Sequence, residues 1–226
     1  MANWDPREGG IYWEDHTTGA RDNEKSVVSN APAALLGVDL YRLTGGRTYL
    51  QWSERIVTWL DDHLVDHTTG LYDDSLHDDG ERMVRSRAVY TYDQGIMIGV
   101  LAALSEVDPE QYPVEAAVSL AQRSMADFGS RPGSYGQPGF DVIFAENLLS
   151  LSRLDHNHSF DAAARRAVQL ARRSEPKGND LLTYSSDAAL QALSTLPSAD
   201  AGRLYFALPS SRPLGLSFDR GVARAR

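Results

Sequence analysis

The sequence contains no cysteine, which excludes disulfides and thiolate metal ligands. It has no excess of basic charge either: 22 Lys and Arg stand against 31 Asp and Glu, for a formal net charge of −9. Phosphate-backbone binding needs clustered Lys and Arg, so a nucleic-acid or anionic-membrane binder is disfavoured, whereas a neutral partner such as a sugar is compatible. Long apolar runs are missing. The longest, Ile96–Leu104, falls far short of the ~20 residues of a membrane helix, so no membrane span is expected. The opening Met1-Ala2-Asn3-Trp4-Asp5-Pro6 lacks the basic start and apolar run of a signal peptide. As written, the chain is expected in the cytoplasm; a longer N-terminus carrying a signal peptide would make it secreted or cell-surface. No phosphate loop, dinucleotide fingerprint or Ser-His-Asp order is present. His63 and His67 stand four apart without the Glu that metalloprotease chemistry needs, and His156-Asn157-His158 reads as a turn. No metal site and no cofactor are expected.

What the sequence does contain is self-similarity. Asp15-His16-Thr17-Thr18-Gly19 recurs as Asp66-His67-Thr68-Thr69-Gly70, a period of about 50 residues and the mark of a repeat architecture. The repeated unit reads as a loop followed by two helices. Residues 1–24 are loop-like, with a short hairpin turning at Thr18-Gly19. The first helix is expected to open near Ser29-Asn30, with Pro32 in its first turn, and to end at Gly45-Gly46. The second, about Thr48–Leu64, is amphipathic, with Leu50, Ile56, Val57, Trp59, Leu60 and Leu64 on its buried side. A loop of about 25 residues, Val65–Ala88, follows, and loops that long in a compact domain are usually functional or disordered.

The next helix, about Thr91–Leu104, is apolar nearly all round and should be buried. Its Gly95 and Gly99 suggest close helix packing. An amphipathic partner runs from about Pro113 to Phe128. Residues 129–139 form another long loop, followed by an apolar helix at Phe140–Leu154, an amphipathic one at Phe160–Arg173 and a last one at Ser186–Leu196. Apolar inner helices alternate with amphipathic outer ones, so the expected fold is all-α, an incomplete ring of helical hairpins over residues 1–197. The long loops should emerge on one face and build the site there. Residues 198–226, with Arg203, Arg212, Arg220, Arg224 and Arg226, are expected to be a disordered basic tail.

Five stretches in order carry a resemblance: Gly9-Gly10-Ile11-Tyr12-Trp13, Lys25-Ser26-Val27-Val28-Ser29-Asn30, Tyr49 with Trp52 and Trp59, Thr69-Gly70-Leu71-Tyr72-Asp73, and Tyr90-Thr91-Tyr92-Asp93-Gln94-Gly95. Phe140-Asp141-Val142-Ile143-Phe144 is a weaker echo. Together they resemble glycoside hydrolase family 76, which contains endo-α-1,6-mannanases, over about residues 4–155. The resemblance implies an α/α toroid of six hairpins, a mannan-type glycan as partner and a retaining mechanism with two carboxyl groups close together. It also implies an adjacent pair of catalytic aspartates upstream of Gly9, where only eight residues stand. The chain therefore reads as the family without its first hairpins and without that pair. A repeat protein lacking a terminal unit exposes its neighbour's apolar face, so self-association through the toroid edge is expected. The family usually has Asn, Asn and Lys where this chain has Ser26, Asp93 and Asp141.

Among acid pairs in the chain, Asp61-Asp62 reads as a solvated helix end, and Asp73-Asp74 and Asp78-Asp79 as loop acids that are solvated or form turns. Asp93, at the start of an apolar helix, must be paired, hydrogen-bonded or protonated, and is the weak catalytic candidate. The expected substrate-binding set is Trp13, Asn30, Tyr90, Tyr92, Asp93 and Gln94, because sugar sites stack aromatic faces on C–H surfaces and use amides for the hydroxyls. Asn30 could instead cap its helix. The function expected is a glycosidase acting on α-1,6-linked mannan or a related mannoside. The alternative is a carbohydrate-binding protein that keeps the groove without the chemistry.

Overall fold

The computed structural model describes residues 3–14, 23–79, 82–130, 138–155 and 160–166. The first Asp-His-Thr-Thr-Gly copy, the helix at Ser186–Leu196 and the 198–226 tail lie outside the described residues.

Ser26 decides where the first helix starts. It follows strand β1 (Lys25–Ser26), its hydroxyl accepts the Ser29 N–H at 3.3 Å, and the Ser29 hydroxyl accepts the Ser26 N–H at 3.2 Å. This reciprocal cap opens helix α1 (Val27–Thr44) upstream of the expected Ser29-Asn30 start. Pro32 consequently sits inside the helix rather than in its first turn, and Asn30 caps nothing. Gly45, at φ 70°, ends α1 by donating to the Tyr41 carbonyl at 2.7 Å.

Helix α2 (Arg47–Leu64) buries the apolar stripe its sequence shows. It approaches α1 at Gly37, where a Cβ would lie 2.2 Å from the Ser53 hydroxyl. That hydroxyl donates to the Ala34 carbonyl at 2.7 Å, so the contact is both close and hydrogen-bonded.

The 65–88 segment, expected as plain loop, is two antiparallel hairpins. Strands β2 (Val65–Asp66) and β3 (Leu71–Tyr72) flank the Thr-Thr-Gly turn. There the Asp66 carboxylate accepts the Thr68 N–H at 2.7 Å, and Gly70 adopts φ 68°. Strand β4 (Ser75–Asp78) pairs with β5 (Met83–Ser86) on one side and with β1 on the other. Periodicity missed these strands because each is only two to four residues long.

Helix α3 (Thr91–Val107) is enclosed by α1, α4 (Val114–Ser130) and α5 (Pro138–Asp155), and it is buried all round as its composition requires. A Cβ on Gly95 would lie 2.6 Å from the Phe144 Cα, and one on Gly99 2.0 Å from the Asn147 amide oxygen. Gly95 lets α3 and α5 touch backbone to backbone, and Gly99 makes room for the Asn147 side chain. Residues 160–166 continue as helix, and Phe160 is sealed in the core with Ile56, Leu60, Met97, Phe144 and Leu148. The architecture is an all-α arc: α1, α3 and α5 lie side by side, with α2 and α4 packed on α1 and α3. No helix among the described residues is long and apolar enough to cross a membrane.

Candidate functional site

The starts of α1, α3 and α5 meet at one end of the arc. The Val27 N–H, first in α1, donates to the Asp74 carbonyl at 2.9 Å. The Thr91 hydroxyl, first in α3, donates to Asp141 in the opening turn of α5 at 2.9 Å. Between them the β3–β4 turn carries Asp73 and Asp74. Asp74 also accepts from the Tyr92 hydroxyl at 3.3 Å.

Tyr92 stacks on Tyr90, with ring centroids 5.4 Å apart and planes at 14°. Tyr90 is 39% exposed and Tyr92 half-buried, so the pair presents an aromatic face beside a carboxylate. Beneath them Asp93 is wholly buried, and neither of its oxygens has a hydrogen-bond partner among the described residues. Burial, reinforced by the Asp74 charge, pushes its pKa up to about 9, so it holds its proton at neutral pH. Burial likewise pushes Asp141 up to about 6, opposed by the hydrogen bond from Thr91. Asp73 is buried too. Its carboxylate lies 2.7 Å from the Arg85 guanidinium, and burial raises its pKa while Arg85 opposes the shift. Burial, then the charges of Asp93 and Asp74, hold the Tyr92 phenol well above the ordinary range.

Two of the expected substrate-binding residues are occupied by the protein itself. The Asn30 amide accepts the Ile11 N–H at 2.7 Å and donates to the Ile11 carbonyl at 3.0 Å. The Gln94 amide accepts the Tyr72 N–H at 3.0 Å and donates to the Tyr72 carbonyl at 2.8 Å. Each is the fourth residue of its helix, and each grips both main-chain groups of one loop residue. Asp141 occupies the same fourth position in α5.

Trp13, 55% exposed, stands at the end of the glycine-led loop, where its N–H donates to the Glu24 carbonyl at 2.8 Å. The glycines are forced: Gly9 and Gly10 have φ of 75° and 81°, and a Cβ on Gly10 would lie 2.6 Å from the Trp59 ring. Lys25, buried beside them, donates to Asp5 at 2.7 Å, and Asp5 also accepts from the Tyr12 hydroxyl at 2.7 Å. Burial would raise the Asp5 pKa, but Lys25, the Arg7 N–H and Tyr12 overcome it and hold the carboxyl low.

Of the remaining acids, Asp79 forms a turn with Arg82 as expected, through a 3.0 Å bond from the Arg82 N–H. Asp61 is not simply solvated, because it accepts the Tyr72 hydroxyl at 2.5 Å. Thr91 and the turn acids Asp73 and Asp74 join the site though sequence reasoning left them out. Only the hairpin that folds the 65–88 segment back over α3 brings the acids there. Among the described residues no group of three or more His, Asp or Glu is placed to hold a metal ion.

Such an arc of hairpins, with its loops gathered over the starts of the inner helices, defines a protein of the α/α-toroid fold. The chain belongs to glycosyl hydrolase family 76, whose family model matches residues 1–194. It is 32% identical over 107 residues to a mannan endo-1,6-alpha-mannosidase of Candida glabrata, covering 45% of this chain and 24% of that protein. Its fold is similar to an inactive variant, with two Asp replaced by Ala, of an alpha-1,6-mannanase from Salegentibacter sp. HEL1_6 in complex with alpha-1,6-mannotetrose. There the TM-score is 0.71 at 24% identity, covering 85% of this chain and 64% of that one. A family 76 glycoside hydrolase from a bovine Bacteroides thetaiotaomicron strain gives a TM-score of 0.72 at 20% identity, covering 85% and 48%. The chain thus spans about a quarter of the curated relative and less than two thirds of each solved structure.

Proposed function

We propose that this chain forms part of the glycan-binding mouth of a glycosidase acting on α-1,6-linked mannan or a closely related mannoside. One observation carries the reading: the Tyr90–Tyr92 stack stands against the Asp74 carboxylate at the open end of the arc. Aromatic faces take up the C–H surface of a pyranose, and a carboxylate accepts its hydroxyl hydrogens. The similar mannanases and mannosidase support the choice of sugar. By family resemblance the hydrolysis would be retaining, through two carboxyl groups about 5–5.5 Å apart.

A second reading, glycan binding without hydrolysis, is favoured by the burial of Asp93. A fully sealed carboxyl cannot reach a glycosidic oxygen. Titrating the chain with α-1,6-mannotetraose by calorimetry, while assaying for new reducing ends, separates the readings. Binding with release of reducing ends supports hydrolysis, and binding without release supports the groove alone. Asp74→Asn and Tyr90→Ala should each weaken binding by about tenfold, in line with one aromatic or charged contact. If the tetrasaccharide neither binds nor is cleaved, the assignment of the mouth fails.

A further inference from the structure

The glycine-led loop is fastened residue by residue. Asn30 grips both main-chain groups of Ile11, and the Ser29 hydroxyl donates to the Ile11 carbonyl at 3.1 Å. The Tyr12 N–H donates to the Asn3 carbonyl at 3.1 Å, and its hydroxyl shares Asp5 with the buried Lys25. The Lys25 ammonium also stands over the Tyr12 ring, 4.8 Å from its centroid. Burial and the Asp5 carboxylate push the Tyr12 phenol up to about 12, so this clasp keeps its hydrogen. Trp13 comes next. Its main-chain N–H is tied to Glu24, yet its side chain is 55% exposed, and no aromatic or charged group among the described residues stacks on its ring. Trp is seldom left so open. A large aromatic presented on an already ordered backbone costs little further ordering when a ligand arrives.

The sheet fixes where Trp13 stands. Lys25 and Val27 turn their main-chain groups toward β4, at Leu76 and at the Asp74 carbonyl. Glu24 and Ser26 therefore turn theirs to the opposite edge of β1, and there the Glu24 carbonyl takes Trp13. Tyr90 is on the other side, because the Asp74 N–H donates at 2.9 Å to the Ala88 carbonyl, two residues before it. The same register sets Glu24 against His77, three residues from Asp74. Trp13 is thus about 10 Å from Asp74 along the strands and about two strand spacings, or about 10 Å, across them. One pyranose cannot touch both.

We infer that Trp13 is a second sugar platform of the same mouth, taking a ring of the glycan beyond the reach of the one on Tyr90. The inference rests on the glycan reading of the mouth. What it adds is length: the ligand is an oligosaccharide that crosses the β1–β4 pair.

Calorimetric titration with α-1,6-mannobiose and α-1,6-mannotetraose tests it. The parent chain should bind the tetrasaccharide at least tenfold more tightly than the disaccharide. Trp13→Ala should erase that preference, weakening the tetrasaccharide about tenfold while the disaccharide binds as before. Trp13→Tyr restores an aromatic face and should keep most of the preference. Disaccharide binding without any preference for length, or a preference that survives Trp13→Ala, would overturn the inference and leave the mouth reading standing. Equal loss of both sugars in Trp13→Ala would make the indole a prop of the fold and overturn it too. Failure of both sugars to bind the parent would overturn the mouth reading and this inference together.

Discussion

Asp93 is the residue through which the acidity of the mouth becomes measurable. Its pKa is about 9 in the folded protein against an ordinary 3.8. Above pH 3.8 the unfolded chain releases this proton while the folded chain keeps it up to about pH 9. The folded state thus binds more protons across that window, and stability falls as pH rises. Asp141 adds a smaller loss of the same sign, complete by about pH 6. Asp93→Asn abolishes the greater of these two losses. Urea unfolding should show the variant more stable than the parent by at least about 1 kcal/mol at pH 7.5, with a flatter profile between pH 6 and 8. Parallel profiles would mean that Asp93 is solvated. That Asp93 could not be an ordinary surface acid was legible from its apolar helix. The sealing of Asn30 and Gln94 was not, because a polar residue at a helix start reads the same whether it faces ligand or a neighbouring loop.

Contacts between helices have a different origin, in what side chains leave out. Gly95 and Gly99 were readable as a packing pair from their spacing alone, and the α3–α5 approach is of that kind. Gly99→Ala would drive a methyl into the Asn147 amide, which bonds the Ile143 carbonyl at 2.8 Å. The expected cost is about 1–3 kcal/mol, read from denaturant midpoints. A loss below about 0.5 kcal/mol would show the two helices free to part. The alternation of inner and outer helices was legible because α2 keeps one clean apolar stripe while α3 has none. Strands β2 to β5 were not, since strands this short are fixed by their turns and partners rather than by a period.

For the whole molecule, the open side of α1 matters most. Leu36 is 58% and Leu43 81% exposed, one above the other on a helix whose sequence is apolar nearly all round. Sedimentation velocity at micromolar concentration should show self-association, and Leu36→Lys with Leu43→Lys should shift the chain toward monomer. A parent protein that sediments as a single monomer would count against an adhesive edge. The amide grips at the mouth also bear on how such a ring could diversify. Asn30 holds Ile11 and Gln94 holds Tyr72 from the same rung of successive inner helices, so each of these two hairpins carries its own latch for the segment that precedes it. A grip on main-chain groups does not depend on the side chain of the residue it holds, so it persists when side chains elsewhere in the segment change. These two hairpins with their loops are then cassettes, and that part of the mouth can be rewritten one cassette at a time while the helices behind it stay as they are.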